Sequence, residues 1–307
     1  MRAIIDIGTN TVLLLIARDP VGAYGNTPLQ ILRDEAQISR LGEGLHKNKR
    51  FLPTARTRTL RILEDYHEIC KTLEVQRVIV AGMSAFRRAD DGPDFLQEIG
   101  TRFGWETRLL SGDEEARLSY LSVTHDFGQD NLVALDIGGG STEVINQNGG
   151  VSLELGAVVL SEQFLKHIPP TPEEFQVLRD YVAQEVTIGL CRGVLPYAPT
   201  PTLVGLAGSV TTLAAIHQGL TTWTPELIQG AILKRTDVET WITRFSQMPL
   251  EALRALPGMV KGREDTILAG TLLLHQIMLA LQVDQVLVSD RGVRYGLFYE
   301  SFPEKFP

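Results

Sequence analysis

The sequence predicts an α/β fold built as two similar halves, and three observations carry that expectation. Short β-branched apolar runs alternate with amphipathic helical segments, as in a sheet covered by helices. A unit of strand, Asp-Ile-Gly, polar turn and strand opens the chain around Asp6 and recurs around Asp136, near half the chain length. A repeat of that period implies two like domains facing one another. The chain of 307 residues is long enough for both.

Residues 2–6 and 12–17 are apolar runs separated by Ile-Gly-Thr-Asn-Thr, which predicts a buried hairpin, with a third strand at 29–33. Residues 53–74 have helical spacing, with Leu60, Leu63, Ile69 and Leu73 on one face. A strand follows at 78–81, and Ser84 is placed to cap the next helix. The second copy runs through 132–136, Ile-Gly-Gly-Gly-Ser-Thr, 143–145 and 151–155. Two more strand-to-turn-to-helix junctions start at Thr202 and Gln285, and 196–201 reads as a short connection. The Leu-rich helix at 268–281 is expected in the core, with a subunit surface as the other reading.

The net charge of −8, with 44% hydrophobic and 21% charged residues, describes a folded protein. It argues against non-specific nucleic-acid binding, which needs a basic excess. A polyanionic substrate would have to be met by a local basic lining or by metal ions. Cys70 and Cys191 lie far apart without zinc spacing, so both are expected as buried, reduced thiols. A carboxylate within six residues of the start excludes a signal-peptide core there, and no apolar stretch is long enough to span a bilayer. The expectation is a soluble cytoplasmic protein.

Each Asp-Ile-Gly turn gathers backbone N–H groups at one point, a geometry that binds phosphate. Gly8, Thr9, Asn10 and Thr11 form the first turn; Gly138, Gly139, Gly140, Ser141 and Thr142 form the second. Asp6 and Asp136, at the strand ends, can reach a phosphate through Mg²⁺ or by orienting a water. One such turn alone would read equally well as an Asx turn, but two at matching strand ends point to phosphate.

Asp113, Glu114 and Glu115 open a helix that continues through 118–123; they suit its dipole, or one Glu acts as a base on water. Arg87 or Arg88 could clamp a phosphate or form a solvated pair. The turn with Gly205, Gly208 and Ser209 suits a phosphate, or close helix–strand packing. Asp290 and Arg291 read as a structural ion pair.

These pieces in this order resemble the exopolyphosphatase / guanosine pentaphosphate phosphohydrolase (Ppx/GppA) family, within the actin-like, ribonuclease H-like ATPase superfamily. The resemblance runs over nearly the whole chain. It rests on Asp6-Ile-Gly-Thr-Asn-Thr, Asp136-Ile-Gly-Gly-Gly-Ser-Thr-Glu143 and above all Ser111-Gly-Asp-Glu-Glu115-Ala-Arg117. Ser152-Leu-Glu-Leu-Gly-Ala-Val158, Arg263-Glu-Asp265-Thr-Ile267 and Ser289-Asp-Arg-Gly-Val-Arg-Tyr-Gly296 add to it. Met83 stands where the family usually has Thr, and Glu264 where it has Ala. Longer relatives continue into a helical HD-type domain.

The resemblance implies Glu115 as the base that activates water and Asp136 with Glu143 as holders of Mg²⁺. It implies the two turns, with Gly208 and Ser209, as phosphate grips, and Arg87 and Arg263 as basic contacts. It implies two actin-like domains with a cleft between them: 1–126 with the C-terminal helix 293–307, and 127–292. The activity implied is Mg²⁺-dependent processive removal of the terminal phosphate from inorganic polyphosphate. Guanosine pentaphosphate (pppGpp) is the alternative substrate, and an actin-like ATP-binding kinase or non-catalytic ATPase the reading from another class. A second copy of the chain stays open as a partner.

Overall fold

A computed structural model describes residues 1–18, 29–128, 131–192 and 200–302. In chain order the first elements are β1 (Arg2–Ile7), β2 (Thr11–Arg18), β3 (Gln30–Ile38), α1 (Leu45–Asn48), α2 (Pro53–Thr72), β4 (Arg77–Gly82), α3 (Ser84–Arg88), α4 (Gly92–Phe103), β5 (Glu106–Leu109) and α5 (Gly112–Phe127). There follow β6 (Leu132–Ile137), β7 (Thr142–Asn146), β8 (Gly149–Leu153), α6 (Ala157–Phe164), α7 (Pro172–Arg192), β9 (Thr202–Leu206), α8 (Ala207–His217) and α9 (Pro225–Ile228). The last are β10 (Ile232–Lys234), α10 (Arg235–Phe245), α11 (Leu250–Arg254), α12 (Ile267–Ala280), β11 (Gln285–Val288) and α13 (Val293–Ser301). The chain forms two compact units, Met1–Leu118 with Val293–Pro307, and Ser119–Gly292.

The first unit holds a sheet of order β3-β2-β1-β4-β5. β1, β2 and β3 form an antiparallel meander; β4 and β5 continue parallel to β1. Alternate side chains leave opposite faces of a strand. One face buries Ile5, Ile7, Val12, Leu14 and Val80 with Leu63 and Tyr66 of α2 and Phe95 of α4. The other buries Ile4, Leu15, Ile79 and Ala81 with Leu297 and Phe298 of α13. α2 turns Ala55, Thr59, Ile62, Leu63, Tyr66 and Cys70 fully inward, while Leu60, Ile69 and Leu73 are only partly covered. Tyr66 Oη donates to Val12 O (3.1 Å).

The second unit repeats the plan. Its sheet has the order β10-β11-β9-β6-β7-β8, with β6, β7 and β8 as the meander and β9 and β11 parallel to β6. The added strand is β10, antiparallel to β11. The core centres on α12, where Ile267 to His275, Ile277 and Met278 are buried, so the core reading of that helix holds. α7 buries Leu178, Val182, Val186 and Leu190 at four-residue spacing.

Three expectations need correction. Cys191 is exposed, not buried: it follows Leu190, and one residue turns about 100° away from the buried stripe. Cys70 is buried, and burial pushes its thiol up to about 12. Ser84 does not cap a helix: Met83 is the N-cap, Ser84 is already helical, and its buried hydroxyl has no partner. The third strand of the second unit ends at Leu153, so 154–156 lead into α6. Most of the 196–201 connection lies outside the described residues. No described helix is long and apolar enough to cross a membrane.

Candidate active site

The two Asp-Ile-Gly hairpins have the same closure. Gly8 N donates to Thr11 O (2.9 Å) in one, and Gly138 N to Ser141 O (3.0 Å) in the other. Each turn is supported from behind by the segment that follows its third strand. In the first unit Gly42 N donates to Thr9 O (2.8 Å), and Ser39 N and Arg40 N both reach Asn10 O (3.0 Å). In the second, Ala157 N reaches Gly138 O (3.0 Å), and Val158 N reaches Gly139 O (3.0 Å).

A trans peptide sets each carbonyl opposite the next N–H. Engaging the carbonyls of Asn10's predecessor and of Gly138 and Gly139 therefore turns the amides of Asn10, Gly139 and Gly140 away from the support. A glycine makes each close approach possible. A Cβ on Gly42 would stand 2.3 Å from Thr9 Cγ2, and one on Gly156 would stand 2.3 Å from Gly139 C and O. That explains Gly156 in the motif around Ser152 as backing for the second turn.

Thr9, Asn10 and Thr11 are buried, and Asn10 Nδ2 has no hydrogen-bond partner. A buried unmatched donor in such a turn is a place for an anionic ligand oxygen. In the second turn Ser141 and Thr142 are buried, and Thr142 Oγ1 donates to Leu155 O (2.6 Å).

The register makes the hairpins chemically unequal. Asp6 lies opposite Leu13, whereas Asp136 lies opposite Glu143. Directly opposed residues share a face, with Cβ atoms about 5 Å apart. Glu143 in turn lies opposite Ser152, whose Oγ donates to Glu143 Oε1 (2.8 Å). Ser119 Oγ donates to Asp136 Oδ2 (2.7 Å), and a Cβ on Gly292 would come 3.9 Å from the same oxygen. Two opposed carboxylates are mutually repulsive without a cation, and an all-oxygen donor pair suits Mg²⁺, which takes one or two carboxylates and completes its shell with water and phosphate. Among the described residues no group of three or more His, Cys, Asp and Glu gathers for a metal, so that partial shell is what this pair can offer.

The three carboxylates at the start of α5 have separate environments. Glu114 forms a capping box with Ser111: Ser111 N donates to Glu114 Oε2 (2.8 Å) and Glu114 N to Ser111 Oγ (3.2 Å). The Ser111 hydrogen bond holds the Glu114 carboxyl below its usual range, against a smaller effect of burial. Asp113 is exposed. Glu115 is buried and ion-paired with Arg87 Nη1, which also donates to Leu110 O (2.7 Å). Two expected site residues thus meet, and Arg87 is no solvated surface pair. Arg117 serves elsewhere, pairing with Glu300 of α13.

Gly208 and Arg263 also meet. A Cβ on Gly208 would lie 1.9 Å from the Arg263 guanidinium, which burial brings down to about 10. Ser209 is buried beside Gly270 of α12, and Ala207, the residue before Gly208, has a left-handed φ of 61°. Gly205 is explained by packing, since a Cβ there would meet Val210 and Val286 at 2.9–3.0 Å. Met83 packs in the core with Ile4 and Leu110, and Glu264 Oε2 accepts from Gly262 N (2.7 Å).

Sequence reasoning passed over Asp126 and Gln229. Arg291 Nη1 donates to Asp126 Oδ1 (2.8 Å), Gln229 Nε2 to Asp126 Oδ2 (3.1 Å), and Asp290 N to Gln229 Oε1 (3.0 Å). They fix the loop that brings Gly292 to Asp136. No local motif announces them, because the partners that tie them to this loop are 60 or more residues away.

A family model described as the Ppx/GppA phosphatase family matches residues 16–305. Exopolyphosphatase 2 of Mycobacterium tuberculosis is 31% identical over 310 residues, 96% of each chain. The crystal structure of an Aquifex aeolicus Ppx/GppA protein has 27% identity and a TM-score of 0.79, covering 98% of this chain and 96% of that one. A Cytophaga hutchinsonii exopolyphosphatase shares the fold with a TM-score of 0.84 at 24% identity, over 98% and 97% of the chains. The two repeated sheets are those of the actin-like fold, and the chain belongs to the Ppx/GppA phosphatase family.

Proposed function

We propose that this phosphatase is an exopolyphosphatase: it removes the terminal phosphate from inorganic polyphosphate with Mg²⁺, using water activated by Glu115. The observation that carries the reading is the pair of identically closed glycine turns, of which only the second sets two carboxylates, Asp136 and Glu143, side by side. The amides of each turn suit phosphate oxygens, and Asn10 Nδ2 supplies a further donor in the first.

Glu115, oriented by Arg87, takes the proton as water attacks the terminal phosphorus in line with the leaving phosphate oxygen. The turn amides and Arg263 receive charge that spreads over the phosphoryl oxygens. Asp136 and Glu143 would hold Mg²⁺, which neutralises phosphate charge when bound. The location is cytoplasmic, where such substrates and Mg²⁺ are met.

The test is phosphate release by the purified protein with Mg²⁺, offered long polyphosphate, pppGpp and ATP at equal terminal-phosphate concentration. Fastest release from polyphosphate is expected. Faster release from pppGpp would move the assignment to the guanosine substrate. Release from none, with ATP bound, would leave a nucleotide-binding protein.

A further inference from the structure

In a chain of net charge −8, residues 44–63 hold six of the 29 Lys and Arg and no Asp or Glu. Three of the six, Lys47, Lys49 and Arg50, stand with His46 in an exposed run at 46–50, on and just beyond α1. Neighbouring arginines are neutralised: Arg56 by Asp91 and Glu98, Arg58 by Glu43, and Arg87 by Glu115. Among the described residues, the side chains of Lys47, Lys49 and Arg50 have no such carboxylate. Like charges this close repel and add nothing to the fold.

Their place is set by the first turn. Gly42, which packs on Thr9 and donates to its carbonyl, is four residues before His46, at most about 14 Å along the chain. At the far end, Asp90 N donates to Lys49 O (2.7 Å), joining the run to the end of α3, where Arg88 stands. Asp90 is the exposed carboxylate at this margin; Asp91 is occupied by Phe51 N and Arg56.

We infer that Lys47, Lys49 and Arg50 form a distal subsite for a linear phosphate chain, gripping the phosphates that extend beyond those at the first turn. The inference rests on the proposed polyphosphate activity and names how that substrate is held. A ligand with one charge per repeating unit gains from several spaced cations, through displacement of counterions, and a long chain gains more than a short anion. Exposed lysine and arginine heads form a loose, water-filled contact, which lets a chain slide as its end is consumed.

The experiment compares the wild type with K47E/K49E/R50E, which alters only exposed side chains. Kinetics are read on long-chain polyphosphate and on tripolyphosphate, and binding of fluorescent long-chain polyphosphate is read by anisotropy with EDTA present. The expected result is a KM for the long chain raised roughly tenfold or more, with kcat within about twofold, tripolyphosphate kinetics unchanged, and a shallower salt dependence. Equal changes for long and short substrates, or no change for either, would overturn the subsite. If the wild type hydrolyses neither, the proposed activity fails, and anisotropy decides the subsite alone: weaker binding by the variant supports it and equal binding overturns it. Equal loss of affinity for a single-stranded oligonucleotide would also overturn it, reducing the run to general polyanion attraction.

Discussion

Asp136 and Glu143 stand directly opposite each other on β6 and β7, whereas their counterparts in the first unit are Asp6 and Leu13. One fold plan thus occurs twice, with a directly opposed pair of carboxylates in only one copy. The strand register, one residue for one residue in both hairpins, makes this difference chemical and not a displacement.

Removing charge from that pair should weaken Mg²⁺ use. Glu143→Gln keeps the shape and the Ser152 contact but ends the repulsion that a cation relieves. The Mg²⁺ concentration for half-maximal phosphate release should rise roughly tenfold. An unchanged Mg²⁺ titration would take Glu143 out of the metal site.

Glu115→Gln should lower kcat roughly a hundredfold or more and leave the thermal midpoint close to that of the wild type. Arg87 retains its bond to Leu110 O, so the local backbone keeps an anchor. Near-normal turnover would remove Glu115 from the proposed chemistry.

Two glycine substitutions should differ in kind. Gly156→Ala drives a Cβ into the backbone of Gly139 and Gly140, which cannot move without opening the turn; a loss of about 2–3 kcal/mol in denaturant unfolding is expected. Gly208→Ala meets only the far end of Arg263, which can swing aside, so the cost should stay near about 1 kcal/mol or less while KM rises. Equal stability losses would contradict this distinction.

His275 makes the second unit sensitive to acid. It is buried on α12 with Nδ1 unpartnered, and burial lowers its pKa from 6.5; Arg235 and Arg179 act the same way, and Glu239 opposes them. The unfolded chain therefore binds the proton first as pH falls below about 6.5, so stability is lost with acidification and retained above that value. The drop in melting temperature between pH 7.5 and 5.5 should be smaller in His275→Leu than in the wild type. Identical drops would show that His275 does not titrate in folding.

The sequence made both hairpins, both turns and the repeat legible, because these are local: a buried strand needs apolar alternation, and a tight turn needs glycine and small polar residues within four positions. It also made α12 legible as core, since a helix apolar on every side has nowhere else to go. Ser84 and Cys191 were misplaced for one reason. Whether a side chain caps or hides depends on where a helix starts and which way it is turned, and packing decides both.

The chain by itself determined which groups are candidates to meet a phosphate or a metal: Asp6, Asp136, Glu115, Glu143 and the two glycine turns. Tertiary structure alone decided what stands beside them. It set Glu143 beside Asp136, tied Glu115 to Arg87, laid Arg263 over Gly208, and placed Gly42 and Gly156 behind their turns. It also recruited Asp126 and Gln229, which carry no motif. The physical reason is that composition and spacing specify short-range geometry, whereas pairing across 28, 55 or 103 residues is fixed only when the sheets register and the helices pack.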